Sequence, residues 1–357
     1  MLTPCSIGKT IYLSQERTNL LQIGVLYKKN STYIDIYIMT RSACLIFNPV
    51  AGQGDAEQDL ATIKSILEPE FDLDLQFTTE ELSGGDLARK AIENNVETII
   101  ASGGDGTVSM VAEALVGTDI PLGAIARGTA NAFANALGIP DTIEAACKVI
   151  LDGATKKVDA GMCNGKPMIL LAGIGFEAET VEDADREANK RLGMLAYILS
   201  GLKQIREFEK FETTIETDDK IIKVEANAVT IANAAPPTSI LAHGTAGVIY
   251  DDGLLDVTII APETRTSAIA ISYHLLQTAG NDEAAERDDI GYLRTKWIKV
   301  TTNPPQKVVL DGEIIGTTPI EVKCIPGGLT VFAPAEQIMQ AEEKLEHLSG
   351  IEIENKE

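Results

Sequence analysis

The apolar run Thr98-Ile99-Ile100-Ala101 passes straight into Ser102-Gly103-Gly104-Asp105-Gly106-Thr107, and a helix-like stretch to Val116 follows. A strand, a glycine-rich loop and a helix in that order leave few folds open, because such a strand needs cover on both faces of a sheet. The segment also predicts chemistry. Glycines let the backbone approach a phosphate closely, and the amides at a helix N-terminus donate to it. Thr107 adds a hydroxyl, and Asp105 puts a carboxylate where Mg²⁺ on a nucleotide could be held. A bare strand–helix turn with Asp105 as N-cap explains the acidic residue but not two adjacent glycines ahead of Asp-Gly-Thr.

The same pattern recurs on either side. Asn48-Pro49-Val50-Ala51-Gly52-Gln53-Gly54 follows the strand Ala43–Phe47, and Gly128-Thr129-Ala130-Asn131 follows Leu122–Ile125. Helices are expected over Asp55–Leu67, Asp86–Asn94 (with Asp86 near the N-cap), Ala130–Leu137 and Thr142–Leu151, and a strand over Phe71–Thr78. This alternation predicts a doubly wound α/β domain over 41–158, with the glycine loops at the carboxyl ends of its strands, where such sheets bind ligands. Three loops of this kind on one sheet edge make a polyphosphate cradle.

Beyond residue 158 the texture changes. Strands are expected at Lys156–Met162, Met168–Ala172, Phe211–Glu216, Ile221–Ala232, Val248–Tyr250, Leu255–Ile260, Trp297–Thr301, Lys307–Leu310, Ile320–Cys324 and Leu329–Ala333. Helical stretches fall at Glu179–Glu207 and Thr266–Gln277. Many short strands with Gly and Pro turns predict an antiparallel β-sandwich over 159–335, whose last strands could return to the first domain. Residues 336–357 read as an acidic tail, helical and then frayed. Residues 1–40 look detached, although Tyr33–Ile38 alternates like a strand.

Charge narrows the partners. Thirty Lys and Arg against 53 Asp and Glu leave a net charge of −23, which argues against a nucleic-acid surface and against docking on anionic lipid by overall charge. No apolar run reaches the roughly 18 residues of a membrane-spanning helix. The five cysteines include no C-x-x-C pair, and the N-terminus has no signal-peptide pattern, so a cytoplasmic setting with reduced thiols is expected. His243, His274 and His347 lack metal-ligand spacing. Gly8-Lys9-Thr10 lacks the first glycine of a P-loop. Gly173-x-Gly175-x-x-Ala178 lacks the acidic partner of a dinucleotide fingerprint. Lys190–Leu199 mixes basic and apolar residues and could lie at a membrane interface or pack in the core.

Five segments now fall into a known order: Asn48-Pro49-x-x-Gly52, Gly103-Gly104-Asp105-Gly106-Thr107, Gly128-Thr129-Ala130-Asn131-x-Phe133-Ala134, Asp251-Asp252-Gly253-Leu254 and Asp311-Gly312-Glu313. Over roughly residues 43–335 the chain resembles soluble bacterial lipid kinases with a diacylglycerol kinase catalytic domain, in a superfamily whose fold is similar to NAD kinase and 6-phosphofructokinase. The resemblance implies ATP-dependent phosphorylation of a lipid hydroxyl, with Mg²⁺, by a protein that meets the membrane peripherally; a homodimer is allowed. It implies ATP contacts at Asn48, Pro49, Val50, Ala51 and Gly52, at Thr78, at Gly104, Asp105, Gly106, Thr107, Val108, Ser109 and Met110, and at Thr129. It implies a Mg²⁺ site from the Asp252 carboxylate and the carbonyls of Ile249 and Leu254, with Glu313 as proton acceptor and Asp105 as the rival base. By local sequence alone, Asp-Asp-Gly and Asp-Gly-Glu are equally well hairpin turns. Two segments depart from the pattern: Ser109-Met110 stands for Asn-Glu, and Ala132 for Asp. Asp159 matches a further carboxylate of the site. The alternatives are a kinase of a small polyol or NAD, and a catalytically weak lipid-binding regulator.

Met39 lies four residues before the first family-like strand at Ala43. A chain beginning at Met39 is expected to fold and stay active; loss of either, by circular dichroism or kinase assay, would make residues 1–40 part of the working protein.

Overall fold

Four strands, Arg41–Phe47 (β1), Phe71–Phe77 (β2), Thr98–Gly103 (β3) and Leu122–Ala126 (β4), pair in parallel in the order β2-β1-β3-β4. β3 and β4 are buried along their whole length, as their unbroken apolar runs require. β2 forms the sheet edge and turns Asp72 and Asp74 to solvent, charges that discourage pairing with another chain. The computed structural model describes residues 41–52, 54–175, 209–235, 248–268, 270–271, 287–334, 345 and 348–356. The readings of Tyr33–Ile38, Met39, Glu179–Glu207, Lys190–Leu199 and the three histidines lie outside those residues.

Five helices accompany these strands: Ala56–Leu67 (α1), Gly84–Glu93 (α2), Asp105–Leu115 (α3), Ala132–Ala136 (α4) and Ile143–Asp152 (α5). α2 starts earlier than its sequence suggests. Ser83 is its N-cap, and Asp86 is the third residue of a capping box in which each side chain accepts the other's backbone N–H. α4 is shorter than the expected Ala130–Leu137, because Asn131 takes a left-handed φ of 49° and stays outside the helix.

The later strands are Thr155–Cys163 (β5), Lys166–Met168 (β6), Leu171–Ile174 (β7), Phe211–Thr217 (β8), Lys220–Ala226 (β9), Ala228–Ala232 (β10), Leu255–Ile260 (β11), Ile290–Thr295 (β12), Trp297–Asn303 (β13), Lys307–Leu310 (β14), Glu313–Thr317 (β15), Ile320–Phe332 (β16) and Glu352–Asn355 (β17). They form a 6-stranded sheet, β12-β11-β10-β7-β14-β15, and complete an 11-stranded sheet that also holds β1–β4. β16 makes that sheet continuous. Its first half pairs antiparallel with β13, much of its length pairs with β5, and Val331 pairs in parallel with Leu122 of β4. Two strands expected separately, Ile320–Cys324 and Leu329–Ala333, are thus one strand with an irregularity between Ile325 and Leu329, where Gly327 has φ of 58°.

Other expectations are corrected. Ile221–Ala232 is two strands in different sheets, divided at Asn227, which is fully buried and donates from its side chain to the Glu209 carbonyl at 2.7 Å. Met168–Ala172 divides likewise, for a reason that belongs to the site. Val248–Tyr250 is not a strand; the Tyr250 carbonyl accepts the Asp159 N–H at 2.6 Å instead. Of Thr266–Gln277, residues 266–268 and 270–271 are helical and the remainder lies outside the described residues. The tail at Glu352–Asn355 is a strand paired antiparallel with β9, not a helix. Cys44, Cys147, Cys163 and Cys324 are buried free thiols.

Ile100 lies at the centre of β3 with no exposed surface. Ile100→Ala should cost about 2–5 kcal/mol of stability, read from the midpoint of urea unfolding.

Candidate active site

The carboxyl ends of β1, β3 and β4 carry the three glycine loops, and backbone contacts bring the loops together. Asn48 joins the first to the second: its N–H donates to the Ser102 carbonyl at 2.8 Å, and its side-chain amide donates to Thr107 Oγ1 at 2.8 Å. Thr78 closes on the same edge, donating its N–H to the Phe47 carbonyl at 3.0 Å. The second and third loops touch main chain to main chain, since a Cβ on Gly128 would stand 2.9 Å from the Gly104 Cα. α3 begins on Gly104 with no side-chain cap; the Thr107 N–H donates to the Gly104 carbonyl at 3.0 Å, and the Gly106 N–H of the first turn remains available to an anion. Gly106 and Thr129 are exposed beside them, whereas the side chains of Val108 and Ser109 are buried beneath the helix and Met110 is partly exposed.

Asp105 also has a structural partner in the third loop. It accepts the N–H of Asn131 at 3.0 Å and of Ala132 at 2.5 Å, while Asn131 Oδ1 accepts the Gly128 N–H at 2.8 Å. It therefore ties the first residue of α3 to the third loop. Burial raises its pKa, and the amide bonds oppose that. Ala132, which stands for the family's Asp, is buried with 1% exposure, and its N–H is what Asp105 grips.

Asp311-Gly312 makes the two-residue turn between β14 and β15, with φ of 47° and 95°. The Asp311 carboxylate accepts the N–H groups of Ile169, Leu170 and Leu171 at 2.6, 2.9 and 2.8 Å. Those three amides leave the ladder, which is why the Met168–Ala172 strand breaks in two. Burial pushes the Asp311 carboxyl up to about 6. Glu313 follows, exposed at the start of β15. Its electrostatic neighbour is Glu113 of α3, one turn beyond Met110: burial first, then the carboxylates of Asp311 and Glu313, push Glu113 up to about 7. Sequence reading passed over Glu113; the signal was an acidic residue on a helix face three residues after the position that departs from the family pattern.

The turn proposed for Mg²⁺ is also engaged. Asp252 accepts the Leu254 N–H at 3.1 Å through one oxygen and is paired with Arg294 through the other, and the Arg294 Nε–H donates to Asp256 at 3.1 Å. Asp159 accepts the N–H groups of Gly253 at 2.6 Å and Gly327 at 2.8 Å, fastening the turn to β16. Arg294 is shared between Asp252 and Asp256, and Asp159 feels both Asp251 and Asp252, so the turn holds more carboxylate charge than this one guanidinium balances. Among the described residues no group of three or more His, Cys, Asp or Glu is arranged to hold a metal.

Two family models match the chain: the diacylglycerol kinase catalytic domain over residues 42–163 and the YegS C-terminal NAD kinase beta sandwich-like domain over 171–333. An uncharacterized protein of Synechocystis sp. is 50% identical over 308 residues, 83% of this chain and 71% of that protein. The chain belongs to the diacylglycerol kinase family. A protein of Bacillus subtilis named diacylglycerol kinase is 29% identical over 85% of this chain and 100% of its own length. A crystal structure from Bacillus anthracis superposes with a TM-score of 0.69 at 30% identity, covering 83% of this chain and 98% of that one. A second, titled as a diacylglycerol kinase of the same organism, gives 0.65 at 26% with the same coverage. This family of lipid kinases thus shares both halves of the fold.

Folded Glu113 keeps its proton to about pH 7, whereas an unfolded Glu loses it near 4.5. Stability from this group is therefore full below about 4.5 and falls as pH rises toward 7. Glu113→Gln should remove that part of the decline, visible as a smaller difference between urea midpoints at pH 5 and pH 8.

Proposed function

We propose that this kinase moves the γ-phosphate of ATP to the hydroxyl of a lipid acceptor of the diacylglycerol kind, at the membrane surface. The observation that carries the reading is the convergence of three glycine loops and an uncapped helix N-terminus on one sheet edge, with the helix running from them to the turn that bears Glu313. Asn48–Gly52, Thr78, the first turn of Gly104–Met110 and Thr129 hold the nucleotide, with the amides of Gly52 and Gly106 as donors to its phosphates, which suits a transfer that depends on positioning and charge neutralisation. The buried side chains of Val108 and Ser109 support this turn from beneath, and the Met110 side chain is exposed at its end. ATP needs a divalent cation to neutralise its phosphates, and the Asp252 carboxylate with the carbonyls of Ile249 and Leu254 would hold Mg²⁺.

Glu313 is the general base. Its exposed carboxylate accepts the proton of the lipid hydroxyl as that oxygen attacks the γ-phosphorus and ADP leaves. Asp105 is assigned a different duty: it holds the third loop against α3 and so shapes the phosphate cradle. Asp159 and Asp311 hold the flanking turns in the same way.

Labelled-phosphate transfer from ATP to an extracted lipid pool, with mass identification of the product, tests the reaction; label in no lipid, or in NAD or a polyol, would overturn it. Glu313→Gln keeps shape and hydrogen bonding but cannot accept the proton, so turnover should fall about 10²–10⁴-fold with ATP binding nearly unchanged. Asp105→Asn should instead weaken ATP binding. Normal turnover in Glu313→Gln, with inactive Asp105→Asn still binding ATP, would exchange the two roles.

A further inference from the structure

Arg127 belongs to none of the motifs above. It follows β4 directly and precedes Gly128, and its side chain is only 3% exposed. A guanidinium buried to that degree must be paired and hydrogen-bonded. Its Nε–H donates to Asp59 of α1 at 2.8 Å, one Nη1–H donates to the Asn48 carbonyl at 3.1 Å, and one Nη2–H donates to the Ala51 carbonyl at 2.8 Å. Its plane lies over the Phe47 ring at 4.2 Å. One side chain thus grips the first glycine loop at both ends and anchors it to the helix that follows.

The consequence for the loop is geometric. A trans peptide sets its C=O and N–H in opposite directions. With the Ala51 carbonyl turned onto Arg127, the Gly52 N–H is turned away from the guanidinium. The other amides are already used: Pro49 has none, Val50 donates to Asn48 Oδ1 at 3.1 Å, and Ala51 donates to the Asn48 carbonyl at 3.3 Å. Gly52, with φ of 95°, passes so close that a Cβ would stand 3.2 Å from the Arg127 carbonyl oxygen, so both residues of that contact hold one conformation.

We propose that Arg127 is a positioning residue for the nucleotide phosphates: without touching ATP, its three-way grip sets the Asn48–Gly52 loop so that the Gly52 amide is presented to an anion. The proposal rests on the ATP reading above. It needs the guanidinium and not merely a positive charge, because an ammonium is a point donor that cannot span three acceptors in a planar fork.

The test is steady-state kinetics on the full chain with ATP and acceptor varied separately, direct ATP binding by calorimetry, and thermal melting. Arg127→Lys should raise the KM for ATP about tenfold or more, leave the KM for the lipid unchanged and alter kcat less than threefold. Asp59→Asn keeps an acceptor oxygen but removes the charge that anchors Nε, and it should raise the ATP KM about threefold or more with a wild-type melting curve. If Arg127→Lys fails to fold, Asp59→Asn alone decides. An unchanged ATP KM in a folded variant, or an equal rise for both substrates, overturns the assignment while wild-type ATP binding keeps the nucleotide reading intact. No ATP binding by the wild-type chain removes both.

Discussion

β16 is the strand on which the rest depends. A parallel α/β sheet and an antiparallel β assembly have different hydrogen-bond geometries, and a chain that builds one after the other would ordinarily make two bodies with a seam. Here one long strand satisfies both patterns, pairing in parallel with β4 and antiparallel with β5 and β13. Its backbone bonds carry the sheet across what would otherwise be a domain boundary. The turn that bears Glu313 lies in the other sheet, and the Asp311 carboxylate fixes it by holding the amides of Ile169, Leu170 and Leu171, just after β6 of the long sheet.

Around that frame three carboxylates do related work. Asp105 holds the amides of Asn131 and Ala132, Asp159 those of Gly253 and Gly327, and Asp311 those of Ile169, Leu170 and Leu171. Each collects N–H groups from loops, strand ends or a strand irregularity, and buried amides of that kind are costly to leave unpaired. Burial raises all three pKa values while the amides pull them down. Acidic residues that a motif marks as chemical can thus act on a site by fixing its loops. Arg127, paired with Asp59, and Arg294, paired with Asp252 and Asp256, are the cationic counterpart, since each holds a turn or loop through its carboxylate partners.

The parallel strands, the glycine loops and the order of the motifs were legible in the sequence because each is local. An unbroken apolar run reports burial on two faces, and paired glycines report a close backbone approach, whatever lies elsewhere in the chain. Strand limits in the second half were less legible. Ile221–Ala232 reads as one apolar run, yet Asn227 sends its two parts into different sheets, and only the position of Glu209 and Ile260 around it decides that. The short β15 carries too little pattern to stand out, having one face in solvent and the other only half covered.

What the sequence determined by itself was the class of fold, the edge on which phosphate-binding loops gather, and the family. Those follow from periodicity and from residue types whose backbone freedom acts within a few positions. Tertiary structure alone decided which polar groups remain free. Asp105 and Asp252 both read as metal carboxylates, yet only the fold shows that Asp105 also binds the amides of residues 131 and 132 and that Asp252 also pairs with Arg294. Glu113 meets Asp311 and Glu313 across almost two hundred residues of chain. A charged side chain takes its role from its partner, and the partner is chosen by the fold.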